Sequence, residues 1–246
     1  MTYREEIIGN ARLILGDALE IAPRLGKVSH IITDPPYEAI MHASKSGMKG
    51  LVRPDGSHHW KPLDFAPIDE IRRDVVTLGV AMCEGWFIAF CTSEGVGRWA
   101  DEINASTMKY KRACVWIKPD STPQMNGQGP AQGAEHFVCA WAGTGFARWN
   151  AGGKRGVYTH NVNNAERTGR HPTEKPRRLM SEIVADFTSA GQTILDPFMG
   201  SGTTGVAAVM AGRNFIGIEQ NEAYFELACE RLTDAQRQGD FFAVAS

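Results

Sequence analysis

Short apolar runs alternate with amphipathic stretches along most of this chain. Ala11–Leu15 (ARLIL), Val28–Thr33, Gly85–Cys91 (GWFIAFC), Arg112–Ile117, His136–Trp141, Gln192–Leu195 and Asn214–Ile218 are too short for helices and read as strands, several of them buried. Between them, Ile68–Met82 and Val96–Met108 fit helices. Arg177–Thr188 carries an apolar stripe of Leu179, Met180, Ile183, Val184 and Phe187 at helical spacing. Val206–Ala211 fits a helix stopped by Gly212, and a last helix follows the final strand. This alternation predicts an α/β fold, a doubly wound and mainly parallel sheet, as a single domain over 1–246.

Two segments break the pattern. Residues 38–66 lack periodicity and hold Gly47, Gly50, Pro54, Gly56 and Pro62 with Lys45, Lys49, Arg53 and Lys61. A connection of that length in a compact domain is usually functional, and a lid over a site is the expectation. Residues 119–170 are rich in Pro, Gly, Gln and Asn at first, with only the short 136–141 strand inside, then glycine-rich and basic.

The chemistry collects where strands end. Val28–Thr33 runs into Asp34-Pro35-Pro36-Tyr37. Two prolines can neither continue a sheet interior nor enter a helix, so the chain leaves in an extended conformation. Asp34 and Tyr37 therefore sit at the carboxyl edge, where open α/β sheets bind ligands. Gln192–Leu195 runs into Asp196-Pro197-Phe198-Met199-Gly200-Ser201-Gly202-Thr203-Thr204-Gly205, a glycine turn between strand and helix. Gly200 and Gly202 can take angles a β-carbon forbids and let a ligand approach the main chain, facing the helix N–H groups. The G-x-G-x-x-G spacing alone would also suit a nicotinamide enzyme. Asp196 argues against a pyrophosphate, because a carboxylate suits an amine or a cationic centre. Glu219 ends the neighbouring strand, where an acid can accept from ribose hydroxyls.

Composition narrows the class. A formal net charge of −2 excludes a generally basic protein, but basic residues concentrate locally. Arg148, Lys154, Arg155, Arg167, Arg170, Lys175, Arg177 and Arg178 face only Glu166 and Glu174 over 148–178. Acids gather instead at the end of the chain. Cys83, Cys91, Cys114, Cys139 and Cys229 form no C-x-x-C pair, which points to free thiols, a cytoplasmic setting and no zinc site. His58-His59 has no further ligand at metal spacing, so no metal is expected. No apolar run approaches membrane-spanning length, and the start of the chain lacks a signal-peptide core.

DPPY and DPFMGSGTTG followed by NFIGIEQNEAYFELACERL together resemble the amino-group (N6-adenine and N4-cytosine) DNA methyltransferases. His171-Pro172-Thr173-Glu174-Lys175-Pro176 resembles that family's HPT-x-KP segment, and Gly16-Asp17-Ala18 its GDA step. DPPY precedes the glycine turn, the order of the permuted subgroup labelled beta. There the intervening segment, here about 119–170, carries target recognition.

The resemblance implies S-adenosylmethionine as cofactor and double-stranded DNA as partner. It places Asp17 toward the cofactor's adenine, Glu219 at its ribose and Asp196 at its amino-acid portion, with Ala18 and Gln220 among the cofactor contacts. Phe198, Gly200, Ser201, Gly202 and Thr203 surround it, with Thr173 and Lys175 near its methionine end. Lys45, Lys49, Arg53, Lys154, Arg155, Asn161, Arg167 and Arg170 are the expected DNA contacts. A homodimer and a cognate restriction enzyme are further expected partners.

An exocyclic base amine is a poor nucleophile because its lone pair is delocalised. Asp34 and the Pro35 carbonyl can accept its N–H bonds and return density to nitrogen. Pro36 stiffens the step, and Tyr37 offers a face for a flipped base. Other chemistries fit less well. Carbon-5 methylation of cytosine needs a cysteine, usually after a proline, and no cysteine here follows one. A nicotinamide oxidoreductase leaves DPPY and HPTEKP unexplained. A methyltransferase for RNA amines or protein amides could share the Pro-Pro-Tyr step, but not the permuted order with a large recognition insert. A binding module would not need every site residue. By the same resemblance, Asp at the first position of DPPY implies N6-adenine rather than N4-cytosine, where that family usually has Ser.

Overall fold

The apolar runs pair edge to edge into one sheet. The computed structural model describes residues 3–36, 68–122, 128–162 and 174–244. Their strands are β1 Arg4–Ile8, β2 Ala11–Leu15, β3 His30–Thr33, β4 Trp86–Cys91, β5 Lys109–Ile117, β6 Ala134–Trp141, β7 Val157–Thr159, β8 Thr193–Asp196 and β9 Asn214–Glu219. Their order across the sheet is β1-β2-β9-β8-β3-β4-β6-β5-β7. The five strands from β2 to β4 are parallel, β1 and β6 run against their neighbours, and β7 is parallel to β5.

Strand periodicity explains the two cores. Neighbours such as Leu13 and Ile14, Ile31 and Ile32, and Phe87 and Ile88 point to opposite faces and are all buried. One face receives α1 Ala18–Ile21, α2 Ile68–Met82 and α3 Gly95–Asn104, through Ile21, Val75, Val76, Trp99 and Ile103. The other receives α4 Arg177–Phe187, α5 Thr203–Met210 and α6 Glu222–Val244, through Leu179, Ile183, Phe187, Ala207, Phe225 and Leu232. Both faces are covered, which is why the central strands read as continuous apolar runs rather than alternating ones. The segment after β3 leads toward α2 on one face, whereas β8 leads into α5 on the other. The carboxyl ends of β3 and β8 therefore flank a topological switch point.

The expected strands and helices form, with shifted ends and several differences, among them the short α1, which the sequence pattern does not show. β1 is not among the expected strands: its Arg4, Glu5 and Ile7 are exposed at the sheet edge and it buries no residue fully, so it lacks a clear apolar face. It folds back on β2 through Gly9-Asn10, with Gly9 at φ +56. β7, three residues inside the basic stretch, likewise has no strand pattern in the sequence. α3 ends at Asn104 rather than Met108, and β5 takes over at Lys109. α5 starts at Thr203, three residues before the apolar run, because left-handed Gly202 (φ +77) caps it there. The expected lid at 38–66 lies outside the described residues.

Candidate active site

Strand direction brings the chemistry to one edge. The carboxyl ends of β2, β3, β4, β5, β8 and β9 and the amino end of β6 share it. Asp17, Asp34, Asp196 and Glu219 therefore meet there, as expected. Lys118 after β5 and Glu135 on β6 join them.

Asp34 is the centre of charge. Its Oδ2 accepts a hydrogen bond from Lys175 Nζ at 2.6 Å. Its Oδ1 is buried with no hydrogen-bond partner among the described residues, although the side chain as a whole is 22% exposed. Burial pushes this carboxyl up to about 6, against the pull of the Lys175 ammonium. An unmet buried acceptor is costly unless a ligand supplies its donor. Pro35 beside it is buried and Pro36 half-buried. Tyr37 lies outside the described residues.

Asp196 has a different surrounding from Asp34. It is 1% exposed, and its Oδ1 accepts from Thr33 Oγ1 at 2.7 Å and from Phe198 N at 3.1 Å. Burial raises it to about 7, although hydrogen bonds from Thr33, Thr204 and the Phe198 main chain favour the charged form. Its carboxylate thus ties the end of β3 to the glycine turn. A strand-end acid looks the same in sequence whether it faces a ligand or its own turn.

The turn itself bends at Gly200 (φ +52) and Gly202 (φ +77). A β-carbon on Gly202 would meet Leu232 and Ala228 of α6, and one on Gly205 would stand 2.5 Å from the Phe215 ring. Gly205 serves close packing, Gly200 serves conformation, and Gly202 serves both. Gly200 N donates to Glu219 Oε2 at 2.9 Å, and Asn221 N to Glu219 Oε1 at 2.8 Å. Burial raises the Glu219 carboxyl above its ordinary value, against the main-chain N–H groups of Asn221, Gly200 and Gln220. Each Glu219 oxygen keeps a lone pair for a hydroxyl donor. Half-exposed Phe198 and exposed Gln220 complete this side.

The remaining expected cofactor residues divide. Asp17 is exposed and caps α1, its Oδ1 accepting from Leu19 N at 2.7 Å; Ala18 is buried in the core. Ser201 and Thr203 are buried, and their hydroxyls accept from Arg231 Nη1 at 2.8 and 3.1 Å. The same nitrogen donates to the Ser201 carbonyl at 2.7 Å, while Arg231 Nη2 pairs with Glu174 at 2.9 Å. Arg231 on α6 therefore braces the glycine turn against the segment before α4. Lys175 lies against Asp34 and Glu135. Thr173 lies outside the described residues. The residues present fit a nucleoside cofactor: an aromatic wall in Phe198, an acid in Glu219 with acceptor capacity for ribose hydroxyls, and a left-handed main-chain turn at Gly200.

Of the expected DNA contacts, Lys154, Arg155 and Asn161 lie among the described residues. Trp86 at the start of β4 donates its Nε1–H to the Arg148 carbonyl at 2.5 Å, so that end of the basic stretch lies at the edge opposite Asp34. β7 runs beside Val115–Ile117 at the carboxyl end of β5, and His160 and Asn161 follow at the catalytic edge, with Val162 N bonded to Asp120 at 2.7 Å. Lys154 is held by Glu182 (2.7 Å) and Asp186 on α4, and Asp186 also accepts from Tyr158 OH at 2.8 Å. Lys154→Met should therefore lower unfolding stability by about 1–2 kcal/mol in urea titrations, with DNA affinity nearly unchanged. Unchanged stability with weakened DNA binding would return Lys154 to the interface. Arg155 precedes β7, while Lys45, Lys49, Arg53, Arg167 and Arg170 lie outside the described residues.

Four participants had no sequence signal strong enough to single them out. Thr33 looks like an ordinary strand residue. Glu135 is an acid inside an apolar strand and Lys118 a charge at a strand end, either of which could have been flagged. Arg231 interrupts the apolar stripe of α6, which was the one available hint.

The fold is that of the S-adenosylmethionine-dependent DNA methyltransferases. M1.HpyAVI, solved as its S-adenosylmethionine complex, matches with a TM-score of 0.70 and 27% identity over 90% of this chain and 98% of that one. A family model described as DNA methylase, of the N6/N4 methyltransferases, matches residues 28–230, and the chain belongs to that family. The family uses S-adenosylmethionine as cofactor. Among curated relatives, the type II methyltransferase M2.DpnII of Streptococcus pneumoniae is 52% identical over 64 residues, 26% of this chain and 24% of that protein. The chain thus matches about a quarter of that relative's length. The type II methyltransferase M.XycI of Xanthomonas campestris pv. cyanopsidis is 27% identical over 92% of this chain and 89% of its own.

Proposed function

We propose that this protein transfers a methyl group from S-adenosylmethionine to the exocyclic N6 of adenine in duplex DNA, after flipping the base out of the stack. The single observation that carries the reading is the buried, unpartnered Oδ1 of Asp34 beside Pro35 at the switch point. An amino group supplies the donor this oxygen lacks. The adjacent Pro35 is the natural second acceptor, since proline keeps its carbonyl and has no N–H to compete.

S-adenosylmethionine supplies an electrophilic methyl on a sulfonium, and the electron pair of the broken C–S bond stays on sulfur as the amine nitrogen takes the methyl. Asp34 draws on the amine N–H and so returns electron density to nitrogen before attack. The nitrogen must then lose one proton, and the same oxygen stands ready to take it. Glu219 and the main chain around Gly200 orient the donor, so that much of the rate comes from alignment. We read Tyr37 as the face on which the flipped base stacks, 38–66 as a lid, and 119–170 as the target-recognition region of a single catalytic domain. Asn161 at the catalytic edge, Arg155, and Lys45, Lys49, Arg53, Arg167 and Arg170 are the proposed DNA contacts. A cytoplasmic enzyme, a homodimer and a cognate restriction enzyme belong to the same reading.

The choice of adenine over cytosine rests on the acid at the first position of DPPY. Expression in a host free of DNA methylation, followed by nucleoside mass spectrometry, should show N6-methyladenine. N4-methylcytosine in its place would move the target base while leaving the amine chemistry intact.

A further inference from the structure

Asp34 does not stand alone behind its open oxygen. Lys175 Nζ lies 2.6 Å from Asp34 Oδ2 and 2.8 Å from Glu135 Oε1. Lys118 Nζ lies 2.6 Å from the other oxygen of Glu135. Four side chains from four places in the chain thus make one line of alternating charge running away from the site. The Lys175 and Glu135 side chains are only 6% and 4% exposed, and the Lys175 ammonium also sits 4.9 Å from the Phe90 ring centre. Among the described residues Asp196 on β8 also interacts electrostatically with Asp34, and its carboxylate is turned to Thr33 and the glycine turn.

Burying charges in this way generally costs stability compared with apolar packing. An arrangement that only closed the core would not need a lysine between two acids at the mouth of a site. The geometry also divides the labour of the Asp34 carboxylate, with Lys175 taking one oxygen and the other left open.

We propose that Lys175 is a positioning residue for the amine methylation. It clamps Asp34 through Oδ2, keeps Oδ1 directed at the substrate amine and holds the carboxylate ionised, and Glu135, itself anchored by Lys118, holds Lys175 in register. This rests on the reading of Asp34 as acceptor for the target amine. Burial alone would leave Asp34 protonated well above the ordinary carboxylate range, and a protonated carboxyl neither activates the amine nor takes its proton. Lys175 opposes that effect, while the negative charge of Glu135 adds to it.

Opposite signs make the test sharp. Single-turnover methyl transfer to duplex DNA is measured across pH at saturating S-adenosylmethionine. Removing the cation in Lys175→Met should move the acid limb upward by about one pH unit or more. At pH below both limbs, that is a loss of about tenfold or more. Removing the second acid in Glu135→Gln should move the limb downward, and Lys175→Arg should keep it near the parent. If Lys175→Met does not fold, the downward movement in Glu135→Gln and the rescue by arginine still decide the matter. Equal losses at every pH, with no movement of the limb in any folded variant, would make these residues merely structural and overturn the proposal. A parent protein that methylates no base amine would instead overturn the function on which it rests.

Discussion

Asp34→Ala is expected to slow methyl transfer by roughly 10²- to 10⁴-fold, the range of a positioned proton acceptor, while S-adenosylmethionine affinity stays nearly unchanged. The separation follows from position. Asp34 leaves β3 toward the open side of the switch point, whereas Glu219 and Gly200 belong to the β8–β9 side. Alanine removes the buried Oδ1 and also the partner of Lys175, leaving that ammonium with Glu135. Some stability should be lost as well, so the rate is read in single turnover on protein shown to be folded. Asp34→Asn, which keeps an acceptor oxygen but no charge, should fall between parent and alanine. An alanine variant within about tenfold of the parent, less than roughly 1.4 kcal/mol of barrier, would remove Asp34 from the chemistry.

The second large effect is expected at Gly200. Its φ of +52 is a region that a β-branched residue enters only with strain of about 1–3 kcal/mol. Relieving that strain would turn the Gly200 N–H away from Glu219 Oε2 and release the acid from its place at the end of β9. Gly200→Val should therefore weaken S-adenosylmethionine binding by about tenfold or more in calorimetry, on a protein that still folds. Gly205→Ala should behave differently: its added carbon presses on the Phe215 ring, so it costs stability first and affinity second. Unchanged affinity in folded Gly200→Val would detach the turn from cofactor binding.

The strand ends were legible in the sequence because prolines and glycines mark where a chain must turn. Asp34, Asp196, Glu219 and Gly200 could be placed at one edge before any coordinates, and all four lie there. Which way each side chain faces was not legible. Asp196 and Asp34 occupy equivalent strand ends, yet one binds its own turn and the other keeps an oxygen open, a difference set by Thr33 and Lys175 from elsewhere in the chain. Ser201 and Thr203 are in the turn as expected, but Arg231, 28 to 30 residues onward, accounts for their hydroxyls. Inside the basic stretch, the three residues of β7 are too few to show alternation, and their pairing with Val115–Ile117 at the end of β5 leaves no sequence signal. Long-range ion pairs such as Lys118–Glu135 leave no periodic trace at all.

The most direct test of the central claim is transfer of an isotopically labelled methyl group from S-adenosylmethionine to unmethylated duplex DNA by the purified protein. The DNA is digested to nucleosides, and parent and Asp34→Ala are compared side by side. The expected result is label in N6-methyladenine for the parent, with label largely lost in the variant while cofactor binding persists. Label absent from the DNA of the parent reaction, or equal in both, would contradict it.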